Sequence, residues 1–432
     1  MSQLIAKASE SSIVNQLDIK PNSGGQTVSL IGKGSFVNMM YYESILQDTI
    51  EVSYTYADTG KGTVGKSVIE ELPIVGTEEV NLKFTDNNDN SIKAKLYVNK
   101  VTPLYEDARK NTTTLTMVSE EFLHNESGNT RLNMRFDGKI SDHVNKILDI
   151  VKSSKKRDVE STSNNYNFIG NNKKPLYTIN WLSRYSVPTK GGQKGKSAGF
   201  FFFETSEGFR FVSIDGLFSQ RAKKRLIYNE TPDTMGSKIP AGYDGKILKQ
   251  FSDNLIDARE KFKMGAYGTR LVVFDPFNCF YKVIKQKADE TKGGTKLGGK
   301  DLPKLNKKFE SDFTRTTYML IDTGTLPSGN TKQQIDKSKD QNFEVQDILN
   351  QSIRRYNQLF SAMQEITIPA DFSLHAGDMI HIDVPGLRSN DTEINREFGG
   401  LYIICDLCHF ITPNQTYTKL NLIRDSFGRK QQ

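Results

Sequence analysis

Two strings in the chain carry the residue types of nucleotide and cofactor chemistry. Gly60-Lys-Gly-Thr-Val-Gly65-Lys66-Ser67 fits G-x-x-x-x-G-K-[ST], the glycine loop whose amides and lysine cradle a triphosphate while the hydroxyl reaches magnesium. Leu271-Val-Val-Phe-Asp275 could serve as its apolar partner strand ending in aspartate. Together they would spell an ATPase. The chemistry, however, needs a helix beginning at Lys66, so that its N-terminal amides face the phosphate. Pro73 would remove a backbone donor early in that helix, and Leu72-Pro-Ile-Val-Gly76 reads as extended chain. A glycine loop between strands fits the surroundings better.

Cys405-Asp-Leu-Cys408-His409 is a literal C-x-x-C-H, the spacing of covalent haem attachment. If Leu401 to Ile411 is an even strand, residues three apart point to opposite faces and cannot grip one cofactor. Zinc would need a second ligand pair, and none is evident. The histidines, His124, His143, His375, His381 and His409, are scattered, with no H-E-x-x-H spacing. No carboxylate pair is set apart for acid–base work. Trp181, the single tryptophan, sits in an apolar helix and reads as core. No residue is nominated as catalytic, cofactor-binding or metal-ligating.

The elements that would have to position such groups point elsewhere. A chain of 432 residues suggests roughly three domains at about 150 residues each. Hydrophobic residues at 36% suffice for ordinary cores. The net charge of +7 lies largely in loop lysines such as Lys292, Lys296, Lys300, Lys304, Lys307 and Lys308. They are not interleaved with aromatics, so no specific nucleic-acid binding is expected. Three cysteines are too few for a disulfide framework and suggest synthesis in a reducing cytoplasm. The N-terminus lacks a basic segment followed by an apolar run, and no stretch approaches the roughly 18 apolar residues of a membrane span.

Period-two alternation marks Ile50, Val52, Tyr54 and Tyr56, then Val80, Leu82 and Phe84, with a turn at Asp86–Asn90 and extended chain from Leu96 to Val101. Ile140, Val144, Ile147, Leu148 and Val151 form a helical stripe. A second helix is predicted over Leu176–Leu182, with Lys/Ser/Asn/Gly loops at Lys152–Asn165 and Lys190–Gly199. Phe200–Phe203 and the following Phe209, Phe211 and Ser213 predict a hairpin turning at Ser206-Glu-Gly208. The Lys/Gly-rich stretch Lys285–Lys308 reads as a mobile loop or an ordered contact arm. Ile348, Leu349, Ile353, Tyr356, Leu359, Phe360 and Met363 predict one helix, after which Ile380, Ile382 and Val384 and then Leu401–Ile411 return to strand.

The first and last β segments resemble each other. Leu96-Tyr-Val98 aligns with Leu401-Tyr-Ile403, and Leu115-Thr-Met-Val118 aligns with Leu420-Asn-Leu-Ile423 without a gap. Upstream, Val80–Phe84 aligns with Ile380–Val384, and both copies close on Phe122 and Phe427. A duplicated β unit would let three chains present six similar modules.

Several segments resemble the baseplate hub proteins of T-even-type and cyanophage-type contractile-tailed phages. They are Tyr42-Glu-Ser-Ile-Leu-Gln-Asp48, Val52–Thr59, Leu72-Pro-Ile-Val-Gly76, Asn81–Asp89, Arg135-Phe-Asp-Gly-Lys-Ile-Ser141, Asn165–Asn172 and Leu422-Ile-Arg-Asp-Ser-Phe-Gly428. Pro175–Glu204 is also similar to the N-terminal part of type VI secretion spike proteins. The resemblance implies an α+β, mainly antiparallel β fold with two tube-like β-barrel domains and a mixed α/β intermediate region. The expected divisions are 1–125, first barrel; 126–220, α+β intermediate; 221–344, a second intermediate region with the Lys/Gly-rich loop and strands for the second barrel; and 345–432, second barrel. It further implies a non-enzymatic virion protein without cofactors, a homotrimeric ring made in the host cytoplasm and built into the tail baseplate. Its partners would be the central spike or tail lysozyme protein, the tail tube protein, and other baseplate and tape-measure proteins, with no membrane. The rivals are a P-loop ATPase and another phage structural protein, such as a tail-tube or capsid component.

Overall fold

The computed structural model describes residues 12–32, 35–59, 72, 74–107, 110–190, 197–228, 245–252, 257–276, 279–287, 296–302, 306–309, 315–320, 330–332, 345–384 and 398–428. The glycine loop Gly60–Ser67 lies outside them, as do residues 288–295 and 303–305 of the Lys/Gly-rich stretch. The fold is α+β and mainly antiparallel β. Its first unit is β1 (Ile13–Lys20), β2 (Val28–Ser29), β3 (Ser35–Ser44), β4 (Glu51–Asp58), β5 (Glu79–Thr85), β6 (Ser91–Asp107) and β7 (Lys110–Val118). In space the order is β2-β1-β5-β6-β7-β4-β3, antiparallel throughout. Val52, Tyr54, Tyr56, Val80, Leu82 and Phe84 are buried in one inner core, as their alternation requires.

The middle of the chain runs through α1 (Glu120–Glu126), β8 (Arg135–Phe136), α2 (Ile140–Ile150), β9 (Arg157–Val159), β10 (Phe168–Ile169), α3 (Pro175–Ser183), β11 (Phe200–Thr205), β12 (Gly208–Ser213) and α4 (Ile214–Phe218). The stretch predicted as loop from Lys152 contains β9, which pairs in parallel with β12. Its polar sequence conceals a strand whose amides are claimed by a neighbour distant in the chain. The hairpin turns at Ser206-Glu207, and its phenylalanines face two ways. Phe200 and Phe202 join the core with α2 and α3, whereas Phe201 and Phe203 join a second core against the C-terminal β unit. Burial on both faces explains an unbroken apolar run where an even alternation would otherwise be expected.

There follow β13 (Lys224–Tyr228), β14 (Lys246–Ile247), β15 (Lys249–Ser252), α5 (Ala258–Met264), β16 (Gly268–Asp275), β17 (Phe280–Lys287), β18 (Arg315–Leu320), α6 (Val345–Leu359), β19 (Ala362–Pro369), β20 (Met379–Asp383), β21 (Gly400–Ile411) and β22 (Thr416–Arg424). The predicted helix through Met363 stops at Leu359. The Lys261 ammonium takes the Phe360 carbonyl at that end, and Met363 already belongs to β19. Its spacing from Phe360 matches a helical stripe only by coincidence.

The second unit has the order β14-β13-β20-β21-β22-β19-β15. Strands β3 to β7 and β15, β19 to β22 therefore follow one another in the same chain order and make the same antiparallel pairs. The two units differ at one margin, where β13 is parallel to β20 while β1 is antiparallel to β5. The entry turns match atom for atom. Thr77 N donates to Val98 O at 2.7 Å and Val98 N to Glu78 O at 3.0 Å; Gly377 N donates to Ile404 O at 2.8 Å and Ile404 N to Asp378 O at 2.9 Å.

The duplication is real at the level of the fold, but its register is one residue from the gapless alignment. Val80 opposes Leu96 and Ile380 opposes Tyr402, so Leu96 corresponds to Tyr402 rather than Leu401. Leu115 still corresponds to Leu420. The first copy carries an extra bulge between Pro103 and Tyr105, and Leu104 is the surplus residue that a gapless comparison misplaces. The two tails also diverge, since Glu120–Phe122 begins a helix while Asp425–Phe427 receives the Gly298–Asp301 strap.

Among the described residues no strand pairing closes either unit on itself, because β3 is hydrogen-bonded to β21 of the other unit.

Gly208 tests the β9–β12 packing. Its φ is +129°, and a Cβ there would lie 2.2 Å from the Lys156 carbonyl oxygen. Gly208→Ala should lower stability by about 1–3 kcal/mol, read as a shift in the thermal unfolding midpoint; an unchanged midpoint would reject the assigned packing.

Candidate assembly joint

No constellation of nucleophile, base and oxyanion donors emerges from the described residues. The densest chemistry lies where three parts of the chain meet. Strand β3 pairs antiparallel with β21 from Ser44↔Asp406 to Met39↔Ile411. Glu43, on β3, is buried there. One of its carboxylate oxygens accepts from Tyr41 Oη at 2.7 Å, the Ser206 amide at 2.8 Å and His375 Nδ1 at 3.2 Å. The other accepts from the Ala376 amide at 2.9 Å. The first unit, the middle hairpin and the second unit thus converge on one side chain.

Burial alone would raise the Glu43 pKa, but the hydrogen bond and charge of His375, with Tyr41 and Ala376, hold it below the ordinary carboxylate value. Burial would likewise lower that of His375, yet the Glu43 carboxylate outweighs it and holds the imidazole above its usual range. Each partner thus favours the charged form of the other, the carboxylate of Glu43 and the imidazolium of His375. Beside it, His409 stacks on Tyr41 at 5.8 Å and lies 4.6 Å from the Phe372 ring. Its Nδ1 is 2.9 Å from Thr418 Oγ1, and burial pushes its pKa down to about 3. Phe84 meets Phe372 edge-on, and the Phe372 amide donates 2.9 Å to Asp86, whose carboxylate also caps the Asn88 and Asn90 amides.

A second buried carboxylate fastens the other side of the same hairpin. Glu204 is the penultimate residue of β11, where it accepts from Ser119 Oγ at 2.6 Å and from the Ile50 amide at 3.1 Å. Lys155 bridges it to Glu121, donating 2.7 Å to the latter. Burial raises the Glu204 pKa, with Lys155 opposing that rise.

The strings that suggested chemistry are not brought together. Asp275 ends β16, in the three-stranded sheet β17-β16-β18, whereas β4 and β5, which flank the glycine loop, lie in the large sheet. The argument that Cys405 and Cys408 face opposite ways fails. A bulge between Ile404 and Asp406 resets the alternation: Leu407 and Ile411 face the inner core, Cys405 faces the outer one, and Cys408 lies opposite Tyr42. Both thiols are buried with raised pKa, the reverse of a reactive thiolate. Among the described residues no group of three or more His, Cys, Asp or Glu is placed to hold a metal ion. His375 and His409, scattered in sequence, converge on Glu43. Glu43 and Glu204 were missed; the only signal was a lone acid closing each of two apolar runs, Met39–Tyr42 and Phe200–Phe203.

This architecture, two repeated β units around an α/β middle, is found in phage tail proteins. A tail protein from Neisseria meningitidis MC58 superposes with a TM-score of 0.52, covering 95% of this chain and 96% of its own at 8% identity. The 43 kDa tail protein of prophage MuSo2 from Shewanella oneidensis superposes with a TM-score of 0.54, covering 95% and 98% at 9% identity. No family model and no curated protein matches the sequence. The tail-protein fold implied by the sequence resemblance is therefore present, recognisable in structure where sequence identity has faded.

Two variants probe the joint. Glu43→Gln removes the charge facing His375 and should cost about 3–5 kcal/mol, as for one member of a buried pair, with urea unfolding as the measure. His409 gives the pH dependence. Its folded pKa is about 3 against an ordinary 6.5, so between those values the unfolded chain binds a proton that the fold refuses. Stability should fall as pH drops below 6.5, by up to about 1.4 kcal/mol per pH unit from this group. The His375 pair acts at the other end, being complete below 6.5 and lost as pH rises through its raised pKa. His409→Gln should flatten the acid slope between pH 6.5 and 5; an identical slope would show that His409 is not buried neutral.

Proposed function

We propose that the chain is a structural protein of a contractile phage tail, a trimeric hub ring in the baseplate. The observation that carries this reading is the duplicated five-strand unit, same chain order and same pairings, with its two copies joined by the β3–β21 ladder. Three chains so built present six similar modules, so a threefold assembly can meet a sixfold one. The ring would seat the tail tube on one face and the threefold central spike, with any lysozyme activity it bears, on the other. Other baseplate and tape-measure proteins would complete its contacts, and its place would be the virion tail. Binding energy takes the place of catalysis. The divisions at residues 125, 220 and 344 belong to the same proposal.

Sedimentation of the purified chain should give a trimer, and negative-stain images should show single rings that do not extend. Long filaments would indicate a tube subunit, and monomer at every concentration, with or without the spike protein, would overturn the reading. Titration with Mg-ATP should give no saturable heat; saturable binding abolished by Lys66→Ala would replace the hub with a nucleotide-hydrolysing protein.

A further inference from the structure

The duplication locates a second joint. In the C-terminal unit, β21 passes the entry turn at Gly377–Asp378 and then offers its edge from Asp406 to Ile411, which β3 occupies. In the first unit, β6 passes the equivalent turn at Thr77–Glu78 and runs on from Lys100. On that side of Lys100–Leu104, no strand is paired among the described residues. The partner edge is duplicated too. β3 lies beyond β4, which pairs with β7; β15 lies beyond β19, which pairs with β22. The far edge of β3 is filled by β21, and no strand among the described residues fills the far edge of β15.

Large apolar side chains are exposed at both edges. Val75, the counterpart of His375, is 82% exposed; Leu104 is 62% and Tyr105 55% exposed on β6, and Phe251 on β15 is 65% exposed. Exposed strand edges bearing large apolar side chains mark sites of strand addition. The register follows from the intact joint. Met40 opposes both Ser53 and Phe410, and Phe251 opposes Glu365, the counterpart of Ser53. Phe410 opposes Tyr417, and Tyr105 opposes Thr112, the counterpart of Tyr417.

We infer that β15 of one copy adds antiparallel to the β6 edge of a second copy of this chain, setting Phe251 opposite Tyr105. This rests on the trimeric reading and deepens it: three joints of this kind alternate with three β3–β21 joints and close a ring of six units. The contact is heterologous, with different surfaces meeting, as a closed threefold ring requires. Pro103 brings no amide to the ladder, so the pairing there leans on carbonyl acceptance and side-chain packing.

The test is a disulfide trap in the full chain, with the exposed Cys279 changed to serine. Tyr105→Cys with Phe251→Cys should run as a covalent trimer on a non-reducing gel after mild oxidation, and neither single variant should. Alongside, Phe251→Lys and Tyr105→Glu should each raise the concentration needed for trimer by about tenfold or more, with the thermal midpoint of the monomer retained, and the double variant should restore assembly. A trimer in sedimentation that neither cross-links nor responds to the charge variants would overturn this joint while leaving the ring intact. An unsubstituted chain that stays monomeric would remove the ring itself, and the joint with it.

Discussion

One buried carboxylate sets the terms for the rest of the structure. Glu43 can remain ionised away from water only while Tyr41, Ser206, His375 and Ala376 all point donors at it. Those four residues come from the first unit, the middle hairpin and the second unit. Moving any one part leaves a charge in an apolar core without its partners, a loss much larger than that of an exposed ion pair. The side chain therefore fixes the relative placement of three regions more sharply than apolar packing alone, which tolerates sliding. Glu204 repeats the device on the opposite side of the hairpin, with Lys155, Ser119 and the Ile50 amide.

The β3–β21 ladder supplies the second constraint. Backbone hydrogen bonds across it occupy the far edge of β3 and the Asp406–Ile411 edge of β21, so neither stretch can pair within its own unit on that side. β21 accordingly serves three neighbours, β20 and β3 along one side and β22 along the other. It is buried on both faces over most of its length, which is why its sequence, Leu-Tyr-Ile-Ile-Cys, does not alternate. The bulge at Cys405 falls where β21 passes from β20 to β3, and it lets one strand change partners without breaking the sheet.

Much of this was legible in the residues. β4 and β5 alternate because only one of their faces contributes to the inner apolar core, and α2 shows its stripe because only one side of it is buried, so period alone located them. The duplication was visible because core positions on β6, β7, β21 and β22 kept their apolar character. Its register was not, because the Leu104 bulge adds a residue whose presence only the ladder reveals. β9 was hidden because Arg-Asp-Val is too short to show a period, and the joint was hidden because its chemistry is assembled from residues hundreds of positions apart. Glu43 and Asp406, neighbours at one end of the β3–β21 pairing, look in sequence like ordinary surface acids.

The two copies have diverged most at their edges, and the divergence has a physical logic. At Glu43 the intra-chain joint carries charge, with His375 in the position that Val75 holds in the other copy. A joint formed within one chain closes at the effective concentration of its own folding, so it can accommodate desolvating a charged pair in return for a unique register. An edge that must find another molecule lacks that advantage, and buried apolar area is what drives such association without demanding that each polar group be matched on first encounter. Val75, Leu104, Tyr105 and Phe251 are exposed at or beside the two edges that no strand occupies among the described residues. Polar residues at the closed joint and apolar residues at the open edges are thus one pattern: the same strand geometry, used once to fix a chain against itself and once more to leave it ready for a copy.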